Sequence, residues 1–208
     1  MTKYIGVVVF PIAEELDFIG PYEAFGMLHV QALEWQPVLI SETGDSVRCG
    51  HGLSVNVDHS FDDAPELEVL LIPGGMGTRA EMNNPRLIDF VQERGRKARY
   101  VTSVCTGALI LHRAGFLSGK RATTHWQAIE TLRGLGGEVD VVDDERWVRD
   151  GNVITAAGVS AGIEMSLYLI SLLKDEQAAL NVQKMMEYYP EPPVFAQTGG
   201  HTAAEAKA

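Results

Sequence analysis

A chain of 208 residues, 46% of them hydrophobic and 22% charged, is long enough for one full core and too apolar for a disordered or fibrous protein. Its 17 basic and 28 acidic residues leave a formal charge of −11, a field that repels phosphate backbones, so nucleic acid is not an expected partner. The apolar runs are too short to span a bilayer, the amino terminus lacks the features of a signal peptide, and Cys49 and Cys105 are the only cysteines; free thiols in a reducing, cytoplasmic setting are expected.

The opening "KYIGVVVF" is a continuous apolar run with three valines together, the pattern of a strand buried on both faces, and Pro11 ends it. After "EELDFIGP" the segment "YEAFGMLHV" reads as a short helix entered near Pro21 and weakened by Gly26. "WQPVLIS" is a second strand, and "GLSVNVD" a third, polar and edge-like. "LEVLLIPGG" repeats the buried-strand pattern and runs into two glycines. "NNPRLIDFVQERGR" predicts a helix capped by Asn84 with Pro85 at its first position and Leu87, Ile88 and Val91 on one face. "ARYVTSV" is again a strand, followed by helical spacing in "CTGALILHRAGFL" and "TTHWQAIETLRGLGG". "RWVRDGNVITAAG" predicts a hairpin around Asp150-Gly151. "SAGIEMSLYLISLL" and "DEQAALNVQKMMEYY" predict two closing helices.

Short apolar strands interleaved with helices predict an α/β, three-layer sandwich around a mainly parallel sheet, with a late β-hairpin. A single domain over residues 1–190 and a carboxyl-terminal tail over 191–208 are expected. Ligands of such sheets collect beyond the carboxyl ends of the strands, and "ELDFIGP", "PGGMG" and "CTG" all fall there.

Cys105 sits at a strand-to-helix switch. Its type is often simply buried, yet a sharp turn at this place exposes a side chain above the sheet, and a helix start lowers a thiol pKa. Gly107 leaves room for close approach. "PGGMG" is either a plain tight turn or a loop that aims the Gly75 amide at the same point as the Thr106 amide, where the two stabilise developing negative charge. Asp17, among Leu16, Phe18 and Ile19, is either a helix cap or a partly buried carboxylate that moves protons and positions water. The six histidines show no metal-ligand spacing with a cysteine or with each other, so no metal is expected; His125 in "TTHW" is the candidate for a Cys–His pair or a core histidine.

"IPGGMG", "VTSVCTGALIL", "AGFLSGKRATTHW" and "AAGVSAGIEMSL" resemble the ThiJ/PfpI group of the class I glutamine-amidotransferase-like superfamily, over about residues 4 to 188. The resemblance implies a flavodoxin-like sandwich with a nucleophilic Cys105 on an elbow and an acidic residue, Asp17, beside it. Aspartate followed by "FIGP", and cysteine followed by threonine, are similar to the isocyanide hydratase branch; the amino-terminal domains of AraC-type regulators share the aspartate feature. Thr106 stands where peptidase-like members carry histidine.

What the hydratase resemblance implies is a cofactor-independent lyase. Cys105 attacks the isocyanide carbon to give a thioimidate, and Asp17 moves protons and positions water. Thr106 contributes its amide and hydroxyl, and Gly75 an amide. Other Cys-dependent chemistry on small carbonyl compounds, or ligand sensing, would use the same pocket. The resemblance also implies a homodimer and an activated, low-pKa thiol.

Overall fold

A computed structural model describes residues 1–190 of the chain; the predicted tail at 191–208 lies outside the described residues. The elements begin β1 (Lys3–Val8), α1 (Glu15–Gln31) and β2 (Trp35–Ser41), then the two-residue strands β3 (Val47–Arg48), β4 (Ser54–Val55) and β5 (His59–Ser60). Next come β6 (Leu67–Ile72), α2 (Thr78–Glu81), α3 (Pro85–Lys97), β7 (Tyr100–Val104), α4 (Gly107–Arg113) and β8 (Arg121–Ala122). A 3₁₀ turn at Trp126–Ala128 leads into α5 (Ile129–Gly134), β9 (Asp140–Val141), the hairpin β10 (Trp147–Asp150) and β11 (Val153–Ala156), α6 (Ala161–Leu173) and α7 (Glu176–Met185).

The main sheet has the order β10-β11-β7-β6-β1-β2-β5. Every pairing in it is parallel except β10 with β11. Helices α1, α6 and α7 pack together on one face, and α3, α4 and α5 on the other. That double cover is why the central strands carry unbroken apolar runs: Ile5, Val7, Val8, Leu70, Leu71, Val101 and Ile154 are all fully buried. The expected three-layer sandwich with its late hairpin is the observed architecture.

The chain leaves β1 through α1 toward β2, but leaves β6 through α3 in the opposite direction, toward β7. The crossovers diverge between β1 and β6, the switch point at whose carboxyl end sheets of this kind place their ligand crevice. The loops after β1, β6, β7 and β11 border it.

Three local expectations need correction. Helix α1 begins at Glu15, well before Pro21, and so carries Asp17 in its first turn. An interior proline costs about 3 kcal/mol in an isolated helix, but burial of Phe18, Phe25 and Leu28, at about 1.5–3 kcal/mol each, outweighs it. Pro21 itself lies against Gly162 of α6, where a Cβ would come within 3.2 Å of its ring.

Second, β4 is not an edge of the main sheet. It pairs with β3 in a separate antiparallel hairpin, which is tied instead to the loop after β1, Gly50 N–H donating to Ala13 O at 2.8 Å. Third, the β10–β11 turn is Gly151–Asn152, one position later than expected, because Asp150 already pairs with Val153. Gly151 takes φ 63° there, a conformation glycine adopts at little cost.

Helix α3 follows its sequence closely. Asn84 Oδ1 accepts the Arg86 N–H at 3.1 Å, Pro85 opens the helix, and Leu87, Phe90 and Val91 face the core.

Candidate active site

The residue that ends β7 turns the chain sharply. Cys105 takes φ 55°, a left-handed conformation that is costly for a residue with a Cβ, and its backbone is pinned on both sides. Its N–H donates to Ala157 O at 2.7 Å, and its carbonyl accepts the Thr124 hydroxyl at 2.7 Å. The turn makes an elbow above the sheet, with α4 leaving immediately behind it. Gly107 permits this departure: a Cβ there would stand 2.2 Å from Ile72 O.

Across the crevice, the loop after β6 comes very close. A Cβ on Gly74 would fall 2.5 Å from Thr106 N and 2.8 Å from Asp17 Oδ2. Only glycine fits between the elbow and the first turn of α1, so the "GG" signal marks a close approach of three segments. Gly74 N–H donates to Asp17 Oδ2 at 2.8 Å.

Asp17 is fully buried. Its Oδ1 accepts no hydrogen bond from the protein, although the Cys105 thiol and the Val159 amide both face the carboxyl group. Burial, with a smaller contribution from the nearby charge of Glu14, pushes its pKa up to about 7 against the opposing Gly74 amide. A buried carboxyl therefore exchanges its proton near neutrality.

Cys105 is 7% exposed, more enclosed than an elbow alone suggests. Burial and then the negative charge of Asp17 push its thiol up to about 12, opposed by the amide and hydroxyl of Thr106. This is the reverse of the expected low thiol pKa. The physical reason is first that closing the loops strips water from the sulphur, and second that Asp17, when ionised, is a like charge beside it.

The Gly75 amide, expected to face developing negative charge, donates to Thr106 Oγ1 at 3.0 Å. Thr78, which no sequence motif marks, is buried against the same hydroxyl at 3.0 Å. Its place in a short helix after a glycine loop carried no sequence signal. The structure thus brings Cys105, Asp17, Thr106 and Gly75 together. His125 caps the 3₁₀ turn, accepting Gln127 N–H at 3.3 Å, and its ring lies against Gly158. Trp126 beside it is half exposed.

One titratable cluster was invisible in sequence. Glu15, at the start of α1, takes His51 N–H on Oε1 at 2.7 Å and faces His51 Nδ1 with Oε2 at 2.8 Å. Glu14 stands 3.5 Å from the same nitrogen. The three side chains offer ligand atoms within 4.8 Å of one another. Their evident work is to clamp the β3–β4 hairpin to the amino end of α1.

Comparison with known proteins agrees with this geometry. The chain is 41% identical to an isonitrile hydratase of Pseudomonas putida over 195 residues, 93% of this chain and 82% of that protein. It is 27% identical to the transcriptional regulator CdhR of Pseudomonas aeruginosa, where it spans 51% of the regulator's length. Among solved structures, a ThiJ/PfpI family protein from Pseudomonas syringae superposes with a TM-score of 0.86 at 36% identity, covering 95% of this chain and 80% of that one. Drosophila melanogaster DJ-1beta shares the fold, with a TM-score of 0.79 at 23% identity. The DJ-1/PfpI family model matches residues 3–172, which takes in both sides of the crevice and the cysteine elbow between them, and the chain belongs to that family.

Proposed function

We propose that the protein is an isocyanide hydratase, converting R–N≡C and water into the N-substituted formamide R–NH–CHO. The observation that carries this reading is a fully buried carboxyl, Asp17, facing the sulphur of an elbow cysteine. An isocyanide carbon needs both a nucleophile and a proton, and these two groups hold one of each. Similarity to an isonitrile hydratase over most of both chains supports the same substrate class.

The pair shares a proton between sulphur and carboxyl. When the thiol proton moves to Asp17, the repulsive charge beside Cys105 is gone, and the thiolate left behind is favoured by the Thr106 amide and hydroxyl against the burial that opposes it. The Cys105 sulphur bonds to the terminal isocyanide carbon while the Asp17 proton passes to that carbon, giving the thioimidate R–N=CH–S. Ionised Asp17 then removes a proton from the attacking water and passes it to nitrogen. On collapse the carbon–sulphur bond breaks, the hydroxyl proton returns to the Asp17–Cys105 pair, and the formamide leaves. Residues of this chain account for every proton moved, and the route calls on no cofactor.

Gly74 fixes the carboxyl, while Gly75 holds the Thr106 hydroxyl in place. Leu16 and Ile19 on α1 and Leu53 on the clamped hairpin are exposed apolar side chains near the site; a homodimer that covers them is the assembly this reading implies. Among the described residues no helix is long and apolar enough to cross a membrane, and both cysteines are free, which suits a cytoplasmic enzyme.

The test is to incubate the protein with a simple aryl or alkyl isocyanide and follow the formamide. Wild type turns over, Cys105→Ala does not, and Asp17→Asn loses at least about a hundredfold, the scale of a general acid–base contribution. No turnover by wild type with a reactive Cys105 would instead favour a ligand-sensing role for this chain, in which ligand binding survives Cys105→Ala.

A further inference from the structure

The peptide unit that joins Cys105 to Thr106 is gripped by a residue remote in sequence. Thr124, in the segment after β8, is fully buried and donates its hydroxyl to Cys105 O at 2.7 Å. The Ala108 amide reaches the same carbonyl only at 3.5 Å, beyond the usual range of a full N–H···O bond. The Thr124 bond is therefore the one that fixes where this carbonyl points.

Thr124 is itself held by the residues on either side of it. The Thr123 N–H donates to Thr155 Oγ1 at 2.8 Å, with both residues buried, and the His125 ring lies against Gly158. Thr155 belongs to β11. The carbonyls that take the Cys105 N–H, Ala156 at 3.1 Å and Ala157 at 2.7 Å, follow it directly. The end of one strand thus sets both the N–H side and the carbonyl side of the elbow.

A peptide unit is planar and trans, so its C=O and N–H point in opposite directions. Holding Cys105 O toward Thr124 turns the Thr106 N–H the other way. The Thr106 nitrogen lies on the crevice side: a Cβ on Gly74 would come within 2.5 Å of it and within 2.8 Å of Asp17 Oδ2. Of the two amides expected to face developing charge, that of Gly75 is engaged by Thr106 Oγ1 at 3.0 Å. The Thr106 amide is the other. Its orientation depends on Cys105, whose φ of 55° is sparsely populated for a residue with a Cβ and persists only where its surroundings hold it.

We propose that Thr124 is a positioning residue: by holding the Cys105 carbonyl, its hydroxyl keeps the Thr106 N–H aimed into the crevice, at the negative charge that develops on an electrophile attacked by Cys105. Thr124 touches none of the reacting atoms. The inference rests on Cys105 as the nucleophile of the proposed function, and not on an isocyanide as its substrate.

Two probes of one thiol separate this role from a general effect on the fold or on the sulphur. With p-nitrophenyl acetate the sulphur bonds to the acetyl carbon, the carbonyl oxygen takes up negative charge, and p-nitrophenolate then leaves. With iodoacetamide the sulphur displaces iodide from a saturated carbon, and no oxyanion forms. Both reactions draw on the same thiolate, so the ratio of their rates cancels its supply and reports the amide donor. Cys105→Ala, measured alongside, subtracts the contributions of Cys49 and solvent.

Thr124→Val should lower the ratio of acetylation to alkylation by at least about tenfold, short of the roughly hundred- to thousandfold that outright loss of an oxyanion donor costs. Thr124→Ser, which retains the hydroxyl, should retain the wild-type ratio. A Thr124→Val protein that folds, by circular dichroism, and keeps the wild-type ratio would overturn the proposal. So would a Thr124→Ser protein whose ratio falls as far. Should the valine variant not fold, Thr124→Ala removes the same hydrogen with a smaller side chain, and an unchanged ratio there counts equally against it. Neither probe is an isocyanide. Failure to hydrate isocyanides leaves this test standing, an unchanged ratio leaves the hydratase reading standing, and a Cys105 that neither probe modifies overturns both.

Discussion

Asp17 loses its water when α1 closes over the sheet, and the Gly74 amide replaces only part of that solvation. Its folded pKa of about 7 stands above its ordinary 3.8, so between those values the folded protein holds a proton that the unfolded chain has released. The stability tied to that proton is fully present below pH 3.8 and is lost as pH rises through about 7. At about 1.4 kcal/mol per unit, the loss approaches about 4 kcal/mol. Asp17→Asn removes the titration, so in urea unfolding it should gain on wild type steadily from pH 4 to 7 and level off above pH 8; a constant difference across that range would contradict a buried, titrating carboxyl. Gly74 is the second residue-scale test. A Cβ placed 2.5 Å from the Thr106 nitrogen meets backbone, which cannot swing aside, so Gly74→Ala should destabilise by about 1–3 kcal/mol and depress Cys105 reactivity. "PGGMG" and "CTG" announced this meeting point. The burial of Asp17 was suggested by Leu16, Phe18 and Ile19, but its extent depended on how closely three loops converge, which no single segment encodes.

Among the elements, α1 departs furthest from its sequence pattern. Pro21 and Gly26 argue for a short helix, yet α1 runs unbroken from Glu15 to Gln31 because α6 offers it a matched surface. Gly20 meets Ile163, Gly162 meets Pro21, and a Cβ on Gly162 would also come within 2.9 Å of Val104 on β7. Gly162→Ala should therefore push α6 off both neighbours and cost about 1–3 kcal/mol in unfolding free energy, measured by urea denaturation, despite alanine's better helix propensity. An increase in stability would show that propensity, and not packing, governs this junction. The opposite case is α3, whose cap, opening proline and apolar face are all local, and whose limits were legible for that reason. The β3–β4 hairpin was not, since its anchor is Glu15, far away along the chain.

For the molecule as a whole, the divergence of crossovers between β1 and β6 determines where chemistry is possible, and the elbow beside it determines which chemistry. Leu16, Ile19 and Leu53 leave apolar surface exposed near that opening. If a second copy covers it, Leu16→Lys with Leu53→Lys should convert a dimer into a monomer in sedimentation velocity, with the monomer's Cys105 more readily alkylated. A wild-type chain that sediments as a monomer would leave the patch without this explanation.

By itself the sequence determined the sandwich, the strand order's raw material and the position of the elbow cysteine. Those depend on patterns that are local in the chain: apolar runs of strand length, helical spacing, and glycines at strand ends. Only the tertiary structure decided that Asp17 belongs to a helix, that the Thr124 hydroxyl grips the Cys105 carbonyl, that Glu14, Glu15 and His51 meet, and that the thiol is pushed up to about 12 and not down. Each of these depends on desolvation and on distances between segments remote in sequence. Such quantities exist only once the loops after β1, β6, β7 and β11 have been drawn to one end of the sheet.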